Sequence, residues 1–154
     1  MNAIHIERDP EPWRAVMLRP VVREGVGEFD LDAVLAHPSV TPVWCGHGGF
    51  LFHALDHLGF VYDLHAMFAP EGWGRHVHRA LTAALNAVFE QSARLITVTE
   101  LADKPMSRPP LSFGFRPVGE FRQTSMGDAR SWLLTQDAWI SSPAFKRSNL
   151  CLLP

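Results

Sequence analysis

Residues 60–68 read Phe60-Val61-Tyr62-Asp63-Leu64-His65-Ala66-Met67-Phe68, and Ala69-Pro70-Glu71-Gly72-Trp73-Gly74 follows directly. Up to Phe68 the chain alternates. Tyr62, Leu64, Ala66 and Phe68 fall on one face of an extended segment, and Val61, Asp63, His65 and Met67 fall on the other. After the glycines the period changes to that of a helix over residues 74–91. Val77, Leu81, Ala84, Leu85 and Val88 line one stripe, while Arg75, Arg79, Thr82, Asn86 and Glu90 line the opposite one. Residues 94–100 (Arg94-Leu95-Ile96-Thr97-Val98-Thr99-Glu100) are short and rich in β-branched side chains, which predicts a buried strand. Strand, helix and strand in succession imply a right-handed crossover with parallel pairing.

Upstream, Pro42-Val43-Trp44-Cys45 predicts a strand and Gly46-His47-Gly48-Gly49 its turn. Residues 50–55 form the next strand, and Asp56-His57-Leu58-Gly59 turns the chain into 60–68. This is an antiparallel meander. Before it, a short helix ends near Arg19, and a second spans residues 28–37, with Asp30 as its cap and Pro38 as its stop. Downstream, the prolines at 105, 109 and 110 permit at best a broken helix over 103–112. Strands near 116–123 and 130–136 pair through Ser125-Met126-Gly127-Asp128, and the tail from Ser141 has no clear period. The fold class is mixed α/β: one domain over 1–154, with a core at 42–137, N-terminal helices in 1–41 and a tail at 138–154.

Composition narrows the function. The 154 residues are 47% hydrophobic and 19% charged, with a net charge of −2. A packed core is expected, and no basic excess is available to grip a nucleic-acid backbone. No apolar run is long enough for a membrane span, and the N-terminus lacks a secretory pattern. Only Cys45 and Cys151 are present, which suits a reducing cytoplasm. Cys45 reads as a small buried hydrophobe. His76 and His78 point to different sides of a helix, His53 and His57 are separated by a strand and a turn, and no His-Glu-x-x-His occurs. No metal site is expected.

The turn at 70–75 carries the first chemical signal. Two glycines let a ligand approach the backbone, and a helix start offers unpaired N–H groups and a positive dipole end. Together they suit a pyrophosphate, with Arg75 and Arg79 adding charge-assisted bonds. The same residues also read as a plain proline-and-glycine turn. Trp73 faces either a ligand or the core, and Trp132 and Trp139 read as core or dimer contacts. His65 is the leading candidate for a general base near neutral pH. Asp63, on the same face, can orient it or hold a cationic amine. Glu100, at the end of the second strand, is the alternative base. Each also has a plainer reading: His65 as a half-buried histidine bonded to a backbone carbonyl, Asp63 and Glu100 as solvated surface carboxylates.

The order of meander, glycine turn, amphipathic helix, buried strand and Gly114-Phe115 resembles the GNAT superfamily of acyl-CoA-dependent N-acyltransferases. The resemblance spans about residues 42–137 and rests mainly on 64–75 and on Leu111-Ser112-Phe113-Gly114-Phe115-Arg116-Pro117-Val118-Gly119. The wording of those segments is similar to a phage- and prophage-encoded branch. The resemblance implies that strands 60–68 and 94–100 splay apart to admit an acyl thioester. It also implies that the amides of Gly72, Trp73, Gly74 and Arg75 cradle the coenzyme A pyrophosphate, with Phe68 beside the pantetheine arm. Ala69 stands where the superfamily usually has Arg or Gln, and Pro110 stands where many members place an acidic Tyr. The implied function is acetyl transfer from acetyl-CoA to a primary amine of a small molecule or peptide. A GNAT-fold binding or regulatory module without catalysis is the other implied function, and a homodimer is left open.

Overall fold

The computed structural model describes residues 4–103 and 111–150. The helices are α1 (Pro10–Met17), α2 (Pro20–Val26), α3 (Leu31–Ala36), α4 (Arg75–Gln91), α5 (Gln136–Ser141) and α6 (Pro143–Leu150). The strands are β1 (His5–Ile6), β2 (Val40–Trp44), β3 (Gly48–Ala54), β4 (Val61–Phe68), β5 (Leu95–Leu101), β6 (Arg116–Thr124) and β7 (Gly127–Thr135). They form one seven-stranded sheet in the order β1-β2-β3-β4-β5-β7-β6. Among the described strands, β4 and β5 alone pair in parallel, the pair that α4 connects. The meander, crossover and final hairpin therefore appear in the predicted order.

The alternation along β4 divides its side chains between two apolar clusters. Leu64 and Phe68 join Ala84, Leu85 and Val88 of α4, along with Phe50, Phe52, Ile96 and Leu134. Met67 turns the other way, to Trp13, Val16, Leu35 and Leu51 under the N-terminal helices. Burying each such side chain contributes roughly 1.5–3 kcal/mol, so both faces of the sheet are anchored at this strand.

The differences from the predicted elements have local causes. Pro20 does not simply stop a helix. It occupies the first turn of α2, where its missing N–H costs nothing. β3 begins at Gly48 rather than Phe50, because Gly48 and Gly49 belong to the ladder. A Cβ on Gly49 would lie 2.6 Å from the buried Trp13 ring, so this strand end needs a residue without a side chain. β1 is two residues long and escapes any periodicity argument. The tail folds as α5 and α6, with Thr135 capping α5 by accepting from the Ala138 amide. These helices draw Asn86 out of the solvent: its Oδ1 accepts from the Trp139 indole at 3.1 Å. Trp132 and Trp139 both lie in the core. Cys45 is buried, and burial pushes its thiol up to about 12.

The outermost strand is different. β6 is exposed along its whole length. Its pairing with β7 shifts register between Val118 and Arg122, where Gly119 takes φ +70°.

Candidate functional site

β4 and β5 are hydrogen-bonded neighbours for three rungs only: Val61↔Leu95, Tyr62↔Ile96 and Asp63↔Thr97. Beyond Asp63, β4 stays paired with β3 as far as Phe68, and β5 stays paired with β7 as far as Leu101. The two strands thus part after Asp63 while each keeps its outer partner. The result is a wedge in the sheet, walled by residues 64–68 and 98–101. This is the splay that the resemblance implied.

The wide end of the wedge meets the turn before α4. Pro70–Gly72 form one 3-10 turn, in which the Gly72 amide donates to the Ala69 carbonyl and the Trp73 amide to that of Pro70. Those two amides are therefore used inside the turn. The four amides that open α4, from Gly74 to Val77, have no acceptor among the described residues. Gly74 is the N-cap and supplies no side chain to bond them. It adopts φ +76°, open to glycine, and no atom lies within 4 Å of where its Cβ would be. Of Gly72, Trp73, Gly74 and Arg75, the first two therefore have their amides engaged within the turn, while the last two open α4. Gly72 is needed for a different reason: a Cβ there would sit 2.7 Å from His47 Cβ.

Charge around this opening is sorted. Glu71, whose carboxylate would oppose an anion, is held by Arg19 at 2.8 Å. Arg75 and Arg79 are exposed, one turn apart, and neither has a carboxylate partner among the described residues. Trp73 is half exposed, and its indole donates to the Phe68 carbonyl at 3.1 Å. His76 ties the helix start to the end of β2 through the Cys45 carbonyl at 2.7 Å. His78 points elsewhere, against the Phe113 ring at 4.5 Å, so the two do not converge. No group of His, Cys, Asp or Glu among the described residues could hold a metal.

At the narrow end the chemistry differs. Asp63 and His65 share the sheet face that looks toward the N-terminal helices. His65 Nε2 lies 3.1 Å from Asp63 Oδ2, and the Thr97 hydroxyl donates to Asp63 Oδ1 at 2.9 Å. An ionised carboxylate only accepts, so in the neutral imidazole Nε2 carries the proton and Nδ1 is the free base. The His65 side chain is 58% exposed, against 20% for Asp63. Burial pushes the Asp63 carboxyl up, yet the hydrogen bond and charge of His65, the Thr97 hydroxyl and the charge of His53 together hold it below the usual carboxylate range.

Glu100 lies on the opposite face. Strand alternation places it with Ile96 and Val98, away from Thr97. It is 2% exposed, not a solvated surface carboxylate. Its Oε2 accepts from Arg130 Nε at 2.7 Å and from the Trp132 indole at 2.5 Å. The fold therefore brings Asp63 and His65 together, gathers Gly74, Arg75 and Arg79 at the helix start, sets Trp73 on Phe68, and keeps Glu100 apart. Arg19 and Thr97 escape sequence reasoning because they reach Glu71 and Asp63 across 52 and 34 residues of chain. Pro110, at the position of the usual tyrosine, lies outside the described residues. Tyr62 is half-buried on the α4 side, edge-on to Phe52.

No protein-family model matches this chain, and no curated protein sequence matches it. Solved structures do. A GNAT-family acetyltransferase from Bacillus anthracis superposes with a TM-score of 0.69 over 87% of this chain and 94% of its own, at 18% identity. A GCN5-related N-acetyltransferase from Brucella melitensis gives 0.72 over 98% and 82%, at 16% identity. An aminoglycoside acetyltransferase in complex with coenzyme A gives 0.66 over 96% and 98%, also at 16% identity. With a parted β4–β5 pair leading to a glycine-capped helix, the chain has the fold of the GNAT acetyltransferases.

Proposed function

We propose that the protein transfers an acetyl group from acetyl-CoA to a primary amine. The observation that carries this reading is the wedge between β4 and β5 ending at the unclaimed amides of α4. The residues there suit the co-substrate: open space over Gly74, the N–H groups and positive end of a 17-residue helix, and two exposed arginines without a carboxylate partner among the described residues. When bound, acetyl-CoA would supply the thioester carbonyl; the amine nitrogen forms a bond to that carbon, the bond from carbon to sulfur breaks, and coenzyme A leaves as the thiol after its sulfur takes the second proton lost by the nitrogen.

This chain's residues serve three tasks. Gly74, Arg75 and the next two amides of α4 hold the diphosphate, with Arg79 adding charge one turn on. Phe68 lines the wedge beside the pantetheine arm. His65 Nδ1 takes the proton from the incoming ammonium, while Asp63 holds Nε2–H and favours the imidazolium that forms. The exposed His65 ring is open to water, which suits a cationic acceptor from solution.

One observation favours a second reading, a GNAT-fold binding or regulatory module without catalysis. The Trp73 indole occupies the Phe68 carbonyl, a group on the wedge that the pantetheine arm would otherwise meet.

Calorimetry with coenzyme A and acetyl-CoA, followed by thiol release with a panel of polyamines, aminoglycosides and peptides, decides among these. Binding in the micromolar range with amine-dependent thiol release is expected. His65→Ala should then lower kcat by about 10²-fold or more with coenzyme affinity unchanged. Binding without release for any amine, or absence of binding at millimolar ligand, overturns the transferase reading and leaves the module ahead.

A further inference from the structure

We propose that Thr97 is a positioning residue for proton transfer: its hydroxyl fixes the Asp63 carboxylate so that the second oxygen faces His65. This inference rests on the transferase reading for its purpose, though its geometry stands by itself.

Thr97 and Asp63 form the last rung before β4 and β5 part. Up to that rung the backbone is held by ladder bonds on both sides. Past it, nothing in the sheet ties β4 to β5. A side chain that must keep its aim beside an opening wedge gains most from a partner at this place. The Asp63 oxygens are divided between two strands: Oδ1 accepts from Thr97 of β5 at 2.9 Å, and Oδ2 faces His65 of its own strand at 3.1 Å. The terminal torsion of an aspartate is broad, so one donor alone would not hold both oxygens in place. Donors on both oxygens do.

The Thr97 hydroxyl has one proton to give. The Tyr62 carbonyl lies at 3.4 Å and the carboxylate at 2.9 Å, so the shorter, charge-assisted bond takes it. Threonine is stiff at χ1, which limits the hydroxyl's wandering. The titratable groups facing the Asp63 carboxyl are His65 on the same strand and His53, its register partner on β3. From β5 the Thr97 hydroxyl donates to it. Serine would keep the bond. Valine keeps the shape and loses it.

The test uses the full chain with 13C-labelled aspartate. The Asp63 carboxyl titration is followed by NMR, and steady-state kinetics are measured in parallel. In Thr97→Val the Asp63 midpoint should rise, and in Thr97→Ser it should return to the wild-type value. Alongside, Thr97→Val should lower kcat about tenfold with KM for acetyl-CoA unchanged, as expected for one charge-assisted bond. Thr97→Ser should recover most of the rate. If Thr97→Val does not fold, Thr97→Ala is read by the same two measurements. An unmoved midpoint overturns the proposal, and so does a moved midpoint with an unchanged kcat. If the wild-type chain acetylates no amine, the transferase reading fails, and the carboxyl titration alone decides whether Thr97 holds Asp63.

Discussion

Arg19 holds Glu71 by a 2.8 Å ion pair that joins the α1–α2 junction to the turn before α4. Both side chains are about half exposed, so the pair adds little stability, on the order of 0–1 kcal/mol. Its weight lies in placement. Glu71 is the carboxylate nearest in sequence to the amides that open α4, and Arg19 neutralises it.

Arg19→Ala should therefore weaken coenzyme A binding several-fold while the melting temperature hardly changes. Glu71→Gln should tighten it slightly, and the double variant should bind like Glu71→Gln alone. Calorimetry at low and high salt checks this, since a charge effect shrinks with ionic strength. Equal affinities in all four proteins would show that the pair has no bearing on the site.

Gly74 faces open space but adopts φ +76°, so Gly74→Ala meets strain rather than collision. A cost of roughly 1–2 kcal/mol is expected. For a chain of this size that lowers the melting temperature by about 2–8 °C. Gly74→Asp should add charge repulsion and abolish coenzyme A binding with the fold retained. Circular dichroism melts and calorimetry separate the two effects.

Glu100 accepts from Arg130 and Trp132 in a buried setting. Glu100→Ala leaves both donors without that acceptor and should cost about 3–5 kcal/mol. Glu100→Gln, which keeps one acceptor oxygen, should cost less. If Glu100 were instead the working base, Glu100→Gln would fold normally and lose nearly all turnover. Chemical denaturation and rate measurements on the same sample distinguish the outcomes.

Asp63 makes stability depend on acid. Its carboxyl is held below the ordinary value of 3.8, so its contribution is complete above that pH and is lost as pH falls through the lower folded value. Asp63→Asn should be less stable than wild type near neutrality, and the gap should close below about pH 4. Thermal melts from pH 7 to pH 3 measure it. A gap that stays constant to pH 3 would mean that the charge is not what stabilises the pair.

The central crossover is legible because α4 and its flanking strands each carry one unmixed period. Ala84, Leu85 and Val88 can share a face only on a helix, and Leu64 and Phe68 only on a strand. His65 and Asp63 are legible as a pair because two-residue spacing on a strand fixes a common face. What spacing cannot supply is register. Nothing in the local sequence says that Thr97 stands opposite Asp63, or that Arg130 and Trp132 close over Glu100. Both follow from pairings more than 25 residues apart, which is why Glu100 resembles a surface carboxylate until β7 is laid beside β5. The α5–α6 tail is obscure for another reason. Its helices are six and eight residues long, too short to establish a period, and they owe their form to Thr135 and the Trp139 contact.

The bend at Gly119 has a consequence for crowding. An outermost strand with unsatisfied backbone is a template on which another molecule can build a cross-chain ladder. The register break divides β6 into a stretch at Arg116–Val118 and another at Arg122–Thr124. Each is too short to seed a long intermolecular sheet, so the kink acts as a guard against fibre-like polymerisation at this exposed rim of the sheet.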